Sequence, residues 1–382
     1  MANILDYIDW RGDLNLRDAS FNEVDGLIMA ELAYLDLGEI LSEDPRPQMS
    51  LTEVCEHYLA LGIDQSHGVN DPGPLLRKAA KCRRFGSLML GGYINHIDPE
   101  RELQLAALSI YWEDGSVCAA FRGTDDSIVG WREDFNFSFQ DHTAGQTEAV
   151  AYLKRLGETF DGPIRVCGHS KGGNFAVYAA AFCGSELRER RILRIYANDA
   201  PGFRKELAKT LQIQSILGKT AVVIPESSLI GILLSTKKEK KIIRSSASGL
   251  EQHNPYTWQV LGPCFEAADS RSASSLFMDE TLHRWLDELD DQQRADFVRA
   301  IFDAMESSGA LTLHELKAEP VATANAILSA IRNMDPELQR SAFASLRKLA
   351  AAGGGTLRDE LLSALNRHGI EILSGSREKT ES

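Results

Sequence analysis

At 382 residues, 43% of them hydrophobic and 25% charged, the chain can bury a sizeable core, which excludes global disorder and a collagen-like chain. A prior of about 150 residues per domain makes one large domain with an appendage as natural as two equal ones. Lys and Arg number 41 against 55 Asp and Glu, and the net charge of −14 argues against a nucleic-acid or anionic-membrane binder.

The chain opens on MANILDYIDWRGD, which carries Asp6, Asp9 and Asp13 and has no basic segment followed by an apolar one. This predicts that it is not a signal peptide. Residues 1 to about 85 alternate helical patterns with polar loops; NEVDGLIMAELAYLDL places Val24, Leu27, Ile28, Leu32 and Leu35 on one face. From 86 to 122 the pattern changes to the β-rich runs GSLMLGGYI, LQLAALSIYW and SVCAAFRG, with the turn EDGS between the last two. Next comes AAFRGTDDSIVGWREDFNFSF, where Trp131, Phe135, Phe137 and Phe139 alternate; the segment from 125 to 143 reads as a lid or pocket wall, or as a buried strand.

A helical stretch from 146 leads into the apolar strand IRVCG, and GNFAVYAAAFC is helical again. Two more strands, RILRIYAND and KTAVVIPES, flank the helix-like FRKELAKTLQ, and KKEKK (237 to 241) reads as the solvated tip of a hairpin. Strands alternating with helices predict an α/β-hydrolase-like, mostly parallel sheet with helices on both faces. The expected domain spans 1–265, with a helical N-terminal portion (1–85) and a sheet core (86–265).

Residues 266–382 read as a helical C-terminal appendage, with GGGT (353 to 356) separating a last helix. Its apolar stripes (Trp285, Leu286, Leu289, Phe297, Ile301, Phe302) are expected to pack on themselves rather than form a binding groove. Six cysteines without CxxC or Cys/His spacing read as small buried hydrophobes of a reducing compartment, not a disulfide frame or zinc site. The longest apolar runs fall short of the ~20 residues that span a bilayer. A cytoplasmic protein without stable membrane insertion is the expectation.

Chemistry concentrates in RVCGHSKGGNFAVYAA, where Gly168, Ser170 and Gly172 fit GxSxG at the junction of strand and helix. In that context the serine sits on a strained turn above the carboxyl ends of the strands. A serine hydroxyl needs a base to take its proton. Of the later histidines, His283, His314 and His368 lie on helical patterns, whereas His253 stands in the loop LEQHNPYTW after the last sheet-like stretch. His253 is therefore the candidate base, and His169 a buttress of the turn.

A carboxylate must orient that imidazole. Asp199 (YANDAPGF) and Glu226 (VVIPESS) end successive strands. Asp199 is preferred, because the shorter carboxylate is the commoner partner and Pro201-Gly202 would turn the chain away and leave it exposed. For an oxyanion the candidate donors are the backbone N–H of Lys171, at a helix N-terminus, and Thr124 in the FRGT loop.

FRGTDDSIVGWREDF followed by GHSKGGN resembles the class 3 lipases. That likeness implies an oxyanion-hole residue at Thr124 and a lid carrying Trp131 and Asp134. NILDYIDWRGD, FNEVDGLI, GHSKGGN, NDAPGF and QHNPYTWQV, in this order over about 1 to 265, resemble more closely a bacterial family of predicted α/β-hydrolases, the Mbeg-like proteins. Class 3 lipases usually carry an aliphatic residue where Lys171 stands and place their acid on the strand that here offers Glu226. A cation beside the serine suggests an anionic or polar acyl substrate, unless the lysine lies exposed on its helix.

The expected function is a serine acyl-hydrolase, esterase or lipase-like, acting on a small-molecule or lipid-like ester without metal or cofactor. The competing expectation is a non-catalytic binding or scaffold protein that keeps the fold and meets a protein partner through its C-terminal helices.

Overall fold

Eight strands form one sheet whose spatial order follows the chain: β1 (Met49–Ser50), β2 (Met89–Asp98), β3 (Leu103–Tyr111), β4 (Val117–Phe121), β5 (Ile164–His169), β6 (Ile192–Asn198), β7 (Thr220–Pro225) and β8 (Lys240–Ile243). The structure, a computed structural model, describes residues 1–62, 71–125, 127–307, 312, 315, 320–340, 342 and 343. From β1 to β4 neighbouring strands run antiparallel, and from β4 to β8 they run parallel, so the sheet is mostly parallel. Tyr111 and Val117 pair across the EDGS turn, where Gly115 takes φ 75°, as a tight hairpin turn requires.

Alternation along the strands separates two cores. On β4, Cys118 and Ala120 face the N-terminal helices, while Val117, Ala119 and Phe121 face the opposite layer. The first layer holds α1 (Ile4–Arg11), α2 (Glu23–Leu32), α3 (Leu51–Leu61) and α4 (Gly73–Ala79). A Cβ at Gly26 would lie 2.7 Å from the Tyr196 ring, so only glycine lets α2 rest this closely on β6. The buried Asp25–Arg84 pair at 2.5 Å, with Tyr7 donating to Asp25, ties α1 and α2 to the chain entering the sheet.

The other face carries α5 (Ile128–Asn136), α6 (Ala144–Thr159), α7 (Lys171–Phe182) and the short α8 (Lys205–Ala208) and α9 (Leu211–Ile216). Among the described residues the C-terminal region carries the helices α10 (Ala273–Glu288), α11 (Asp291–Glu306) and α12 (Pro320–Arg332). Asp290 and Gln293 form a capping box that starts α11 and breaks the apolar stripe into two helices. The segment around GGGT lies outside the described residues.

Several expectations change. KKEKK is no hairpin tip: Lys240 and Lys241 begin β8, which runs parallel to β7, and the lysines donate to Gly231 O and to Glu23. The outer side of β8 is covered by the chain that follows, with Ala268 N donating to Ile242 O at 3.0 Å and Arg244 N to Glu266 O at 2.9 Å. The aromatic segment after residue 125 is not a strand; Ser127 caps α5. FRKELAKTLQ yields only the four residues of α8 and the start of α9. The thiols of Cys55, Cys118, Cys167 and Cys183 are buried, but Cys264 is exposed. No helix among the described residues is long and apolar enough to cross a membrane.

Candidate active site

Ser170 joins β5 to α7 with φ 57° and ψ −132°, a conformation that costs an L-residue about 1–3 kcal/mol. The glycines around it answer to space. A Cβ at Gly168 would lie 2.1 Å from the Gly172 backbone, and one at Gly172 would lie 2.1 Å from Phe121 O. The NDAPGF segment braces the turn from the next strand: Asn198 O accepts from Ser170 N at 2.9 Å, and Asn198 Nδ2 donates to Gly168 O at 3.2 Å. Asn174, in the first turns of α7, donates to Gly202 O at 2.8 Å. Two motifs far apart in sequence thus lock one bend.

His253 ends a short 3₁₀ turn beyond β8, and its Nδ1 lies 2.6 Å from Asp199 Oδ2. With Nδ1–H donating, Nε2 is left as the basic nitrogen. Asp199 follows β6, takes φ 44°, and also accepts from Ser228 Oγ and from Gly231 N at 3.1 Å. The expectation that Pro201-Gly202 would leave it exposed fails, since the 228–231 loop covers it completely. A Cβ at Gly231 would come within 2.4 Å of Asp199 Oδ1, so glycine is required for that approach. Glu226 sits half-buried at the end of β7, and among the described residues its carboxylate has no hydrogen bond or ion pair; its backbone bonds Ile243 and Ser272. His283 pairs with Asp279 at 2.6 Å on α10, and His314 and His368 lie outside the described residues.

Beneath the pair, His169 stacks against His253 with centroids 4.5 Å apart. His169 Nε2 lies 3.0 Å from His253 O, and Nδ1 lies 3.0 Å from the Tyr34 hydroxyl. Burial, with the neighbouring His253 adding to it, holds the His169 imidazole well below its ordinary pKa, so the ring is neutral. A neutral ring has one donor and one acceptor. Nε2–H therefore donates to His253 O, and Nδ1 accepts from Tyr34, whose oxygen in turn accepts the Gly123 N–H. This chain fixes the backbone that carries His253. Glu31, 3.7 Å from His169, is pushed up to about 8 by burial, so at neutral pH the contact joins an uncharged acid to an uncharged imidazole.

Thr124 follows β4 and lies beside Ser170's turn: a Cβ at the adjacent Gly123 would come within 2.9 Å of Ser170 Cβ. Its hydroxyl donates to Asp134 Oδ2 on α5. Burial raises the Asp134 carboxyl to about 6, against the opposing pull of Lys171, the Thr124 hydroxyl and His253. Lys171 contradicts both expectations for its side chain, being neither exposed nor facing a substrate. It is completely buried and donates to Gly130 O at 3.1 Å and to Glu133 at 3.4 Å. Glu133 also accepts from Gln104 N at 3.0 Å and Gly145 N at 2.7 Å. The lysine thus anchors α5 to the sheet, and its backbone N–H lies in the first turn of α7, where no preceding carbonyl is available to it.

A cavity of about 380 Å³ opens against Ser170 and Asp134, walled by Trp131 and Phe135 of α5, by Ile230 and Leu233, and by the C-terminal helices. The stripe residues Trp285, Leu286, Phe297 and Ile301 line it, whereas Leu289 and Phe302 are buried in packing. The appendage's apolar faces therefore do not only pack on themselves. The indole N–H groups of Trp131 and Trp285 are buried without a hydrogen-bond partner among the described residues. A second hollow, near Pro201 and Lys237, offers only about 30 Å³.

Sequence reasoning missed Tyr34, Glu31, Ser228, Gly231 and Glu133. Their patterns were ordinary helix ends and loops, and only Ser228, two residues past Glu226 in PESS, lay beside a position already singled out.

A mostly parallel sheet with helices on both faces, and a serine on a sharp strand-to-helix bend above its carboxyl edge, define an α/β-hydrolase-like fold. The Mbeg1-like family model matches residues 79–303, a stretch that holds Thr124, Ser170, Asp199 and His253, and the chain belongs to the Mbeg1-like family. No curated protein matches it. Among solved structures it is similar to the crystal structure of M37 lipase, with 12% identity and a TM-score of 0.35 over 56% of this chain and 69% of that one.

Proposed function

We propose that the chain is a serine acyl-hydrolase in which Ser170, His253 and Asp199 form a triad. The observation that carries this reading is the 2.6 Å Asp199–His253 bond beside a strained Ser170 turn that faces an apolar cavity. His253 Nε2 takes the Ser170 proton as the oxygen attacks the ester carbonyl, and Asp199 stabilises the imidazolium. The oxyanion is held by the backbone N–H groups of Lys171 and Thr124, the Thr124 hydroxyl being committed to Asp134. Imidazolium then protonates the departing alkoxide, and a water activated by the same base releases the acid. Glu226, half-buried and without a tie to His253, has no part in this scheme.

A fluorophosphonate probe should label the protein and fail to label Ser170→Ala, which should also lose ester hydrolysis. A Ser170→Ala protein that hydrolyses short p-nitrophenyl esters at the original rate would overturn the reading.

A further inference from the structure

The serine-hydrolase reading leaves unassigned why the C-terminal helices lie over the serine. We infer that α10, α11 and α12 close a single-chain acyl pocket, that the substrate is an ester with one unbranched, uncharged apolar tail, and that Leu282 and Ile301 set the accepted length. This deepens the proposed function and rests on it.

Three features of the cavity carry the inference. Ser170 lines it, and most of the rest of its wall comes from the appendage: Leu282 and Trp285 of α10, Phe297 and Ile301 of α11, and Ile331 of α12. Its volume of about 380 Å³ falls at the small end of small-molecule sites, which fits one chain rather than three. Its charged side chains are already engaged. Asp134 accepts from Thr124, and Arg294 donates to Leu286 O at 3.1 Å, Ser138 O at 2.9 Å and Asp291 at 3.1 Å. No free cation remains for an anionic tail among the described residues of this wall, and the Trp131 and Trp285 N–H groups offer only uncharged donors.

The helices also hold their places through ties to the sheet domain. Arg132 of α5 bridges Asp303 of α11 at 3.1 Å, Lys205 bridges Asp287 of α10 at 2.6 Å, and Ser275 donates to Ser228 O at 2.9 Å, next to the Asp199 support. The pocket wall and the acid's loop are thereby one packed unit.

The test is a p-nitrophenyl ester series, acetyl to dodecanoyl, on the full chain. kcat/KM should rise by about fourfold per methylene until the pocket fills. Leu282→Trp and Ile301→Trp should each lower the decanoyl-to-butyryl ratio of kcat/KM by about tenfold or more, the loss of about two buried methylenes. A flat series, or an unmoved ratio in two folded variants, overturns the inference. A second measurement needs no pocket variant and no turnover. Decanoate, but not butyrate, should displace 1-anilinonaphthalene-8-sulfonate from the full-length Ser170→Ala protein, and failure of decanoate to displace it overturns the pocket. Fluorophosphonate labelling without decanoate binding would sink the pocket alone; decanoate binding without labelling would sink the hydrolase reading and leave a fatty-acid site.

Discussion

Among the described residues four non-glycine positions have positive φ, and two of them are Ser170 and Asp199. Strain of this kind persists only where surrounding contacts over-determine it, and both positions are held by hydrogen bonds from two neighbouring segments. Asp199→Asn keeps the shape but favours the wrong imidazole tautomer, so kcat for ester hydrolysis should fall by about 10⁴-fold with little change in KM. Tyr34 tests the layer below. Tyr34→Phe removes the partner of both Gly123 N–H and His169 Nδ1, and urea unfolding should show a loss of about 1–3 kcal/mol. An unchanged midpoint would mean that the buttress under His253 does not depend on the phenol.

At the scale of elements, α5 behaves as a fixed wall. Its Glu133 carboxylate binds β3, α6 and α7 at once, and Lys171 completes the set from a wholly buried position. Removing one partner of a buried pair strands the other charge, so Lys171→Met should cost about 3–5 kcal/mol in urea unfolding. A loss below about 1 kcal/mol would place the lysine among ordinary surface charges. The GHSKGG pattern revealed the bend because the steric demands at Gly168 and Gly172 are local: strand end, bend and helix start all lie within a few residues. The lysine's role was illegible, since its partner is a carboxylate 38 residues earlier whose orientation depends on how α5 packs.

For the molecule as a whole, buried acids make stability depend on pH. Glu31 titrates near 4.5 when unfolded and near 8 when folded, so the native state keeps a proton the unfolded chain has released. The contribution is fully present below about pH 4.5 and is lost as pH rises to about 8, because stability falls wherever the native state binds more protons. Asp134 adds the same slope over its lower window, up to about 6. Glu31→Gln should flatten the decline in urea midpoint between pH 5 and 8.5, leaving the pH 5 value near wild type and raising the pH 8.5 value. An identical decline in the variant would assign the slope to other groups.

Order and spacing along the chain were enough to identify the alternation of strands and helices and the serine bend, and to name His253 with Asp199 or Glu226 as candidate companions. Period-two burial, glycine sterics and turn residues act within a few positions, so each leaves its mark in a short stretch of sequence. Folding settled what depends on distant segments meeting: Asp199 over Glu226 as the partner of His253, the inward course of the Lys171 side chain, the support from Tyr34 and Glu31, and the C-terminal helices above Ser170. An amphipathic stripe reads the same whether it packs against its neighbours or encloses a cavity, and what it faces is set by long-range packing rather than by its own residues.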